Sequence, residues 1–214
     1  MKERAILYSP SMVQARRAGL KTQTRRIVKL PYENPLGKWE PGRFGGPNGG
    51  RTAKGETIPE QGVIWHTRTG MVLGCPLGCP GDHLWVREAW RTLPEFDAMP
   101  PRDVPEGVPL WFEADGPAPE GFGRYRHARF MCRWMSRGLD MITDSRAELL
   151  HDITPDDARA EGVTQQPGGW WSAAPGQAGN TARAAYGVLW NSINGDGSWD
   201  ANPLVWRITF EVVK

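Results

Sequence analysis

"RAILYSPSMVQARRAGLKTQTRRIV", residues 4–28, changes backbone preference twice within one short stretch. Residues 4–9 are apolar enough for a short strand. Ser9 is placed to cap a helix over 9–19, and Gly19 stands where a left-handed C-terminal residue is wanted. Residues 22–28, "TQTRRIV", then return to extended chain. A strand, a brief helix and a strand argue for a mixed fold rather than a helical bundle.

Further along, "GDHLWVREAW" (81–90) reads as a turn and a strand. Leu84, Val86 and Glu88 share one face of it, opposite Trp85, Arg87 and Ala89. Residues 128–153 are expected to hold one or two strands. In "TPDDARAEG" (154–162), Thr154 caps, Pro155 suits the first helical position, Asp157 completes a capping-box spacing and Gly162 ends the helix. The strongest helix is 180–195, where Ala182, Ala185, Tyr186, Leu189, Trp190 and Ile193 form one apolar stripe. In the last strand, "VWRITFEVV", Trp206, Ile208, Phe210 and Val212 alternate with Arg207, Thr209 and Glu211, a half-buried pattern.

Between these segments lie stretches rich in Gly and Pro, which together make up about a fifth of the 214 residues, well above ordinary usage. Residues 30–62 hold eight Gly and five Pro without any period. Residues 93–123 carry seven Pro, and 164–180 form a third such run. The expectation is a single α+β domain over 1–214, built on a curled sheet or small β-barrel. Insertion loops fall at about 30–80, 93–125 and 164–180. Eleven tryptophans supply the aromatic surface to hold such loops down.

Charge is nearly balanced, 26 Lys and Arg against 24 Asp and Glu, so the chain is not a polybasic coat. Its distribution is uneven: residues 1–30 contain eight Lys or Arg and one acid, Glu3. Such a face can collect phosphates whatever the net charge. No apolar run approaches the roughly 20 residues that span a bilayer. A secretory signal pattern is also missing at the start, so a cytoplasmic, membrane-free protein is expected. Cys75 and Cys79 form C-x-x-x-C, Cys132 is distant, and His66, His83, His127 and His151 are scattered. That spacing gives no zinc set, and no metal or cofactor is expected. The phosphate loop, the dinucleotide fingerprint, the zinc-protease H-E-x-x-H and the G-x-S-x-G elbow are all missing.

Several residues could carry chemistry. Lys21 and Thr24 follow the Gly19 stop. They are either polar residues of a solvated strand or, if the chain turns after Leu20, neighbours in one site. Nearby cations weaken a lysine's hold on its proton, whereas a helix C-terminus strengthens it. Glu161 occupies the last turn of its helix, where the macrodipole disfavours a carboxylate and favours a general acid. Glu88, on an inward face, needs an arginine or a ligand amino group. In "RWMSR", an extended chain puts Arg133, Met135 and Arg137 opposite Trp134 and Ser136. Arginine beside tryptophan suits phosphate contact and base stacking, or a core Trp with surface arginines.

Taken in order, "GLKTQTRR", "GDHLWVREAW", "DITPDDARAEGV" and "VWRITFEVV" resemble the ASCH domain family, a branch of the PUA-like superfamily of small β-barrels. The longer ASCH-like proteins of phages and prophages have similar "RWMSR" segments and Trp-rich endings. Compact bacterial members include acetylcytidine amidohydrolases, whose G-x-K-T-x-T-x-R motif is matched by Gly19, Lys21, Thr22, Thr24 and Arg26. Their later T-x-x-x-A-x-x-E pattern is matched by Thr154, Ala158 and Glu161. The resemblance implies metal-independent amide hydrolysis on an acylated or otherwise modified cytosine nucleoside or nucleotide. Lys21 would be the proton acceptor, Thr24 or a water the nucleophile and Glu161 the proton donor. Arg26 or Arg137 would stabilise the oxyanion, and Trp85 or Trp134 would stack on the base. Other PUA-like proteins bind RNA, and some ASCH proteins cut single-stranded RNA. A nucleic-acid-binding module gripping through residues 16–29 and "RWMSR" is therefore the alternative.

Overall fold

The computed structural model describes residues 1–32, 36–169, 171–174 and 177–213. β1 (Glu3–Leu7), α1 (Pro10–Arg17) and β2 (Gln23–Ile27) follow the expected order. Next come β3 (Trp39–Phe44), β4 (Gln61–His66) and β5 (Val72–Gly74), then β6 (His83–Arg87) and the short pair β7 (Trp90–Arg91) and β8 (Trp111–Phe112). The remainder is β9 (Leu139–Leu149), α2 (Pro155–Ala160), β10 (Thr164–Gln165), β11 (Trp171–Ala174), β12 (Gln177–Gly179), α3 (Ala182–Asn194) and β13 (Leu204–Val212).

The protein is α+β, with mixed sheets and few helices. Its main sheet has the order β1-β6-β9-β13-β2, in which β1 and β6 run parallel and every other pair is antiparallel. The expected closed barrel is not found: among the described residues β1 and β2 are edges. The chain leaves β1 at Ser9 and Pro10 to enter α1, so β1 is not continued toward β2. A side chain spans the gap instead, Arg26 Nη2 donating to the Leu7 carbonyl at 2.8 Å.

Both faces of this sheet are covered. Ile6, Leu84, Val86, Ile142, Ile208 and Phe210 fill one side. On the other, Val205 packs with Leu150, Ile153, Ala158, Leu189 and Trp190, which seats α3. Burying each Val, Leu, Ile or Phe side chain among these contributes about 1.5–3 kcal/mol. The half-buried pattern expected for β13 therefore holds at Trp206, Ile208 and Phe210 but misses Val205, whose face α3 covers; Val212, past the edge of the core, is 46% exposed. Ile193, expected in the α3 stripe, is also exposed.

The stretch 30–80 is not one irregular loop, because β3, β4 and β5 form an antiparallel sheet within it. Its strands are short and cut by glycines, which hides their alternation, yet Ile64 is fully buried in the main core. Residues 93–125 do run mainly as loops and single turns, pinned by a cluster of Trp90, Val104, Met131 and Met135. The third run carries β10, β11 and β12, which pair antiparallel; Trp170, Pro175 and Gly176 of it lie outside the described residues. "RWMSR" is not extended: Arg133–Met135 is a single 3-10 turn, which breaks the expected alternation. No helix among the described residues is long and apolar enough to cross a membrane.

Candidate active site

Two helix ends build the site. α1 closes through Gly19, whose φ of +72° only glycine adopts without strain, and the Leu20 and Lys21 amides both return to the Ala15 carbonyl. The chain then meets the end of α2, where the Thr22 amide donates to the Ala160 carbonyl at 2.8 Å and Lys21 bridges to Glu161. α2 begins with the predicted capping box between Thr154 and Asp157, and Glu161 caps its far end. Gly162 lets the two ends meet: a Cβ there would stand 3.1 Å from Ala15 Cβ, in a backbone conformation with φ +102°.

Lys21 Nζ consequently donates to Glu161 Oε2 at 2.7 Å, to the Glu161 carbonyl at 3.2 Å and to the Gln23 carbonyl at 2.8 Å. The ammonium satisfies one of the open carbonyls of the helix end while neutralising its carboxylate. The other oxygen, Oε1, accepts from Arg25 Nη1 at 3.1 Å and from the Tyr186 hydroxyl at 3.3 Å. Lys21 and Thr24 are 0% exposed and Glu161 3%. Burial lowers the lysine's proton affinity, and Glu161 opposes that shift. For Arg25 burial works the same way, but Glu161 and Glu148 outweigh it and its proton affinity rises.

A cavity of about 390 Å³ opens beside this pair, walled by Tyr8, Arg25, Arg26, Glu161, Tyr186 and Trp190. Its outer rim includes Tyr125 and His127. Lys21 and Thr24 lie behind the wall. Lys21 Nζ is 5.7 Å from the Tyr8 ring centre, and the Thr24 hydroxyl accepts from Arg26 Nη1 at 2.6 Å rather than bonding to Lys21 or Glu161. The Tyr8 hydroxyl and the Trp190 indole N–H are buried without partners among the described residues. Burial raises the Tyr8 pKa well above the ordinary phenol value, so its hydroxyl stays a donor.

The sequence-predicted residues thus divide. Lys21, Glu161, Arg26 and, one layer back, Thr24 come together. The other five do not reach this cavity. Glu88, buried, is held by a two-pronged contact from Arg137 at 2.8 Å on each oxygen, and Arg137 also pairs with Asp115. Of the two partners expected for Glu88 it is the arginine, and Arg137 is not available to an oxyanion. Trp85 is buried in β6 under the guanidinium groups of Arg87 and Arg133, and Arg133 pairs with Glu3 at 2.8 Å. Trp134 packs on the cluster around Trp90.

Tyr8, Arg25, Tyr186 and Trp190 were not singled out by the sequence reading. Tyr186 and Trp190 looked like core positions of the helix stripe, and only the fold shows that this stripe also walls a cavity. The basic stretch at 16–29 is largely neutralised. Arg16 pairs with Asp140 at 2.6 Å, Arg17 with Asp115, Lys21 with Glu161, and Arg25 with Glu148, Asp157 and Glu161. Set against models of known protein families, curated proteins and solved structures, the chain matches none of them.

Proposed function

We propose that the chain is an ASCH-type, PUA-like enzyme, a metal-independent amidohydrolase. Its substrate is an acylated, acetylcytidine-like, or otherwise modified cytosine nucleoside or nucleotide. One observation carries this reading. Lys21 and Glu161, 140 residues apart in sequence, share a 2.7 Å hydrogen bond, and Glu161 stands in the wall of a cavity lined by aromatic rings.

The pair stores the proton that the reaction needs. Moving that proton along the bond converts the Lys21 ammonium and Glu161 carboxylate into an amine and a carboxylic acid, with no change in net charge. The burial that lowers the Lys21 proton affinity favours the neutral form. A water then attacks the acyl carbonyl and gives its proton to Lys21, a step that requires the wall between them to move aside, because Lys21 is buried behind it. The carbon–nitrogen bond breaks as Glu161 protonates the departing 4-amino group. The products are the free carboxylic acid and the cytosine amine, and the ion pair is restored. Water fits better than Thr24 as nucleophile, because the Thr24 hydroxyl is engaged by Arg26 and makes no hydrogen bond to Lys21, the proton acceptor. Among the described residues, the Tyr8 hydroxyl and the Trp190 N–H are the unpartnered donors for the oxyanion and the base edge. Arg26 lines the cavity but already donates to Thr24, the Arg25 carbonyl and the Leu7 carbonyl, and so contributes mainly its charge.

Incubation with 4-acetylcytidine, followed by chromatography of cytidine and acetate, tests this. Turnover by the wild-type chain and its loss in Lys21→Ala are expected. No turnover, or turnover unchanged in that variant, overturns the mechanism. A second reading, an RNA- or DNA-binding module or a single-stranded RNA nuclease, is favoured by the complete burial of Lys21 and Thr24 behind the cavity wall. It predicts nucleic-acid binding without deacylation.

A further inference from the structure

A second basic stretch, "RYRHARF" (124–130), lies beside the cavity and differs from the first in its surroundings. Arg124, Tyr125, His127, Arg129 and Phe130 are exposed, whereas Arg126 and Ala128 are buried. Arg126 anchors the segment. Its guanidinium donates to the Met99 and Phe96 carbonyls and lies 5.1 Å from the Trp90 ring centre, and its backbone pairs with Trp90. The exposed side chains are therefore presented by a fixed piece of backbone.

Three depressions share walls along this segment. The Glu161 cavity shares Tyr125 and His127 with a depression of about 440 Å³. That one shares Pro101 and Phe130 with a third, of about 370 Å³, which also holds Arg87, Arg102 and Arg129. Neither of these two outer depressions has an acidic residue in its lining. Among the described residues no carboxylate lies within ion-pair distance of Arg87, Arg124 or Arg129. Arg102 pairs only with exposed Asp103 at 3.7 Å. The other nearby acid, Asp97, accepts the Arg124 backbone N–H. Tyr125 and Phe130 are 51% and 53% exposed, with Arg91 at 6.0 Å and Arg129 at 5.8 Å from their respective ring centres.

We propose that this stretch is a binding track for single-stranded nucleic acid, with one base inserted into the Glu161 cavity. The base in the cavity rests on the function proposed above; the track itself rests on the exposed rings and unpaired arginines. Tyr125 and Phe130 take the neighbouring bases by stacking, and Arg124 and Arg129 take their phosphates. A duplex does not fit this arrangement, since rings standing clear of the surface need splayed bases and the cavity needs an unstacked one.

The test is fluorescence anisotropy with a short labelled oligocytidylate, as RNA and as DNA, and with the matching duplex. Single strands are expected to bind and the duplex to bind weakly. Two phosphate contacts give a log–log salt slope of about −1.4. Phe130→Ala is expected to weaken binding about tenfold, from the loss of one stacked base. Arg124→Glu combined with Arg129→Glu should weaken it further, whereas Lys54→Glu, in the β3–β4 connection, should not. All four positions are exposed, so the variants are expected to fold. No binding of either single strand, equal binding of duplex, or equal loss in Lys54→Glu overturns the track. Hydrolysis of free 4-acetylcytidine without oligonucleotide binding removes the track and leaves the enzyme. Binding of oligonucleotide without hydrolysis of any acetylcytidine substrate removes the enzyme and leaves the track.

Discussion

Residues 16–26 and 124–130 are both short, arginine-rich and free of acids, yet the fold treats them oppositely. In the first, Arg16, Lys21 and Arg25 are buried and matched by Asp140, Glu161, Glu148 and Asp157. In the second, Arg126 is the one buried arginine, on backbone carbonyls and an aromatic face, and Arg124 and Arg129 stand in solvent without acids. Basic composition therefore does not identify a phosphate-binding surface. What decides is whether the carboxylates brought in by distant strands and helices consume the charge. The proposed chemistry falls on the buried set and the proposed binding on the open one.

The contrast can be broken experimentally. The largest effect is expected at Arg25, which is fully buried among three carboxylates. Arg25→Met leaves them unmatched and should cost about 3–5 kcal/mol in denaturant unfolding. A cost under about 1 kcal/mol would mean that the buried network is not a coupled unit. Arg137→Ala comes next. It strips buried Glu88 of its partner but removes a half-exposed arginine, so about 2 kcal/mol is expected by the same measurement.

Much of this was legible in the sequence, and the failures have physical causes. The capping box at Thr154, the stop at Gly19 and the long stripe in α3 depend on residues within one or two turns, so local chemistry reveals them. Pairing of Lys21 with Glu161 follows from the family resemblance; residue pattern alone leaves Lys21 open between a solvated strand and a site, and offers Glu161 as a general acid without a partner. The role of Arg25 needed three partners from β9 and α2, and no local pattern encodes them. "RWMSR" misled because alternation assumes extended chain, and a single turn cancels it. "RYRHARF" does interleave arginine with aromatics, the composition that suits phosphate contact and base stacking and that "RWMSR" shares. It lay partly inside a stretch assigned to a loop.

Asp140 gives a finer test of the buried side. Burial raises its pKa from 3.8 to about 6 despite Arg16 beside it. Between those values the native chain holds a proton that the unfolded chain releases. This group's contribution to stability is therefore full below 3.8 and is lost as pH rises through about 6. A carboxyl carbon NMR titration should find the midpoint near that upper value, and a midpoint at the ordinary aspartate position would contradict it. The smallest effect is expected on the open side. Arg124→Ala and Arg129→Ala should each change stability by less than about 0.5 kcal/mol, since neither guanidinium carries a tertiary contact with an acid. A larger loss in unfolding experiments would mean that these arginines are structural.

The most direct test of the central claim, that the buried Lys21–Glu161 pair is the chemical machinery, is single-turnover cytidine release from 4-acetylcytidine by Glu161→Gln. Folding of the variant is to be verified by circular dichroism. Glutamine keeps the shape and a hydrogen bond to Lys21 but cannot deliver a proton, so the rate should fall about a hundredfold or more. A folded Glu161→Gln variant releasing cytidine at the wild-type rate would contradict the claim.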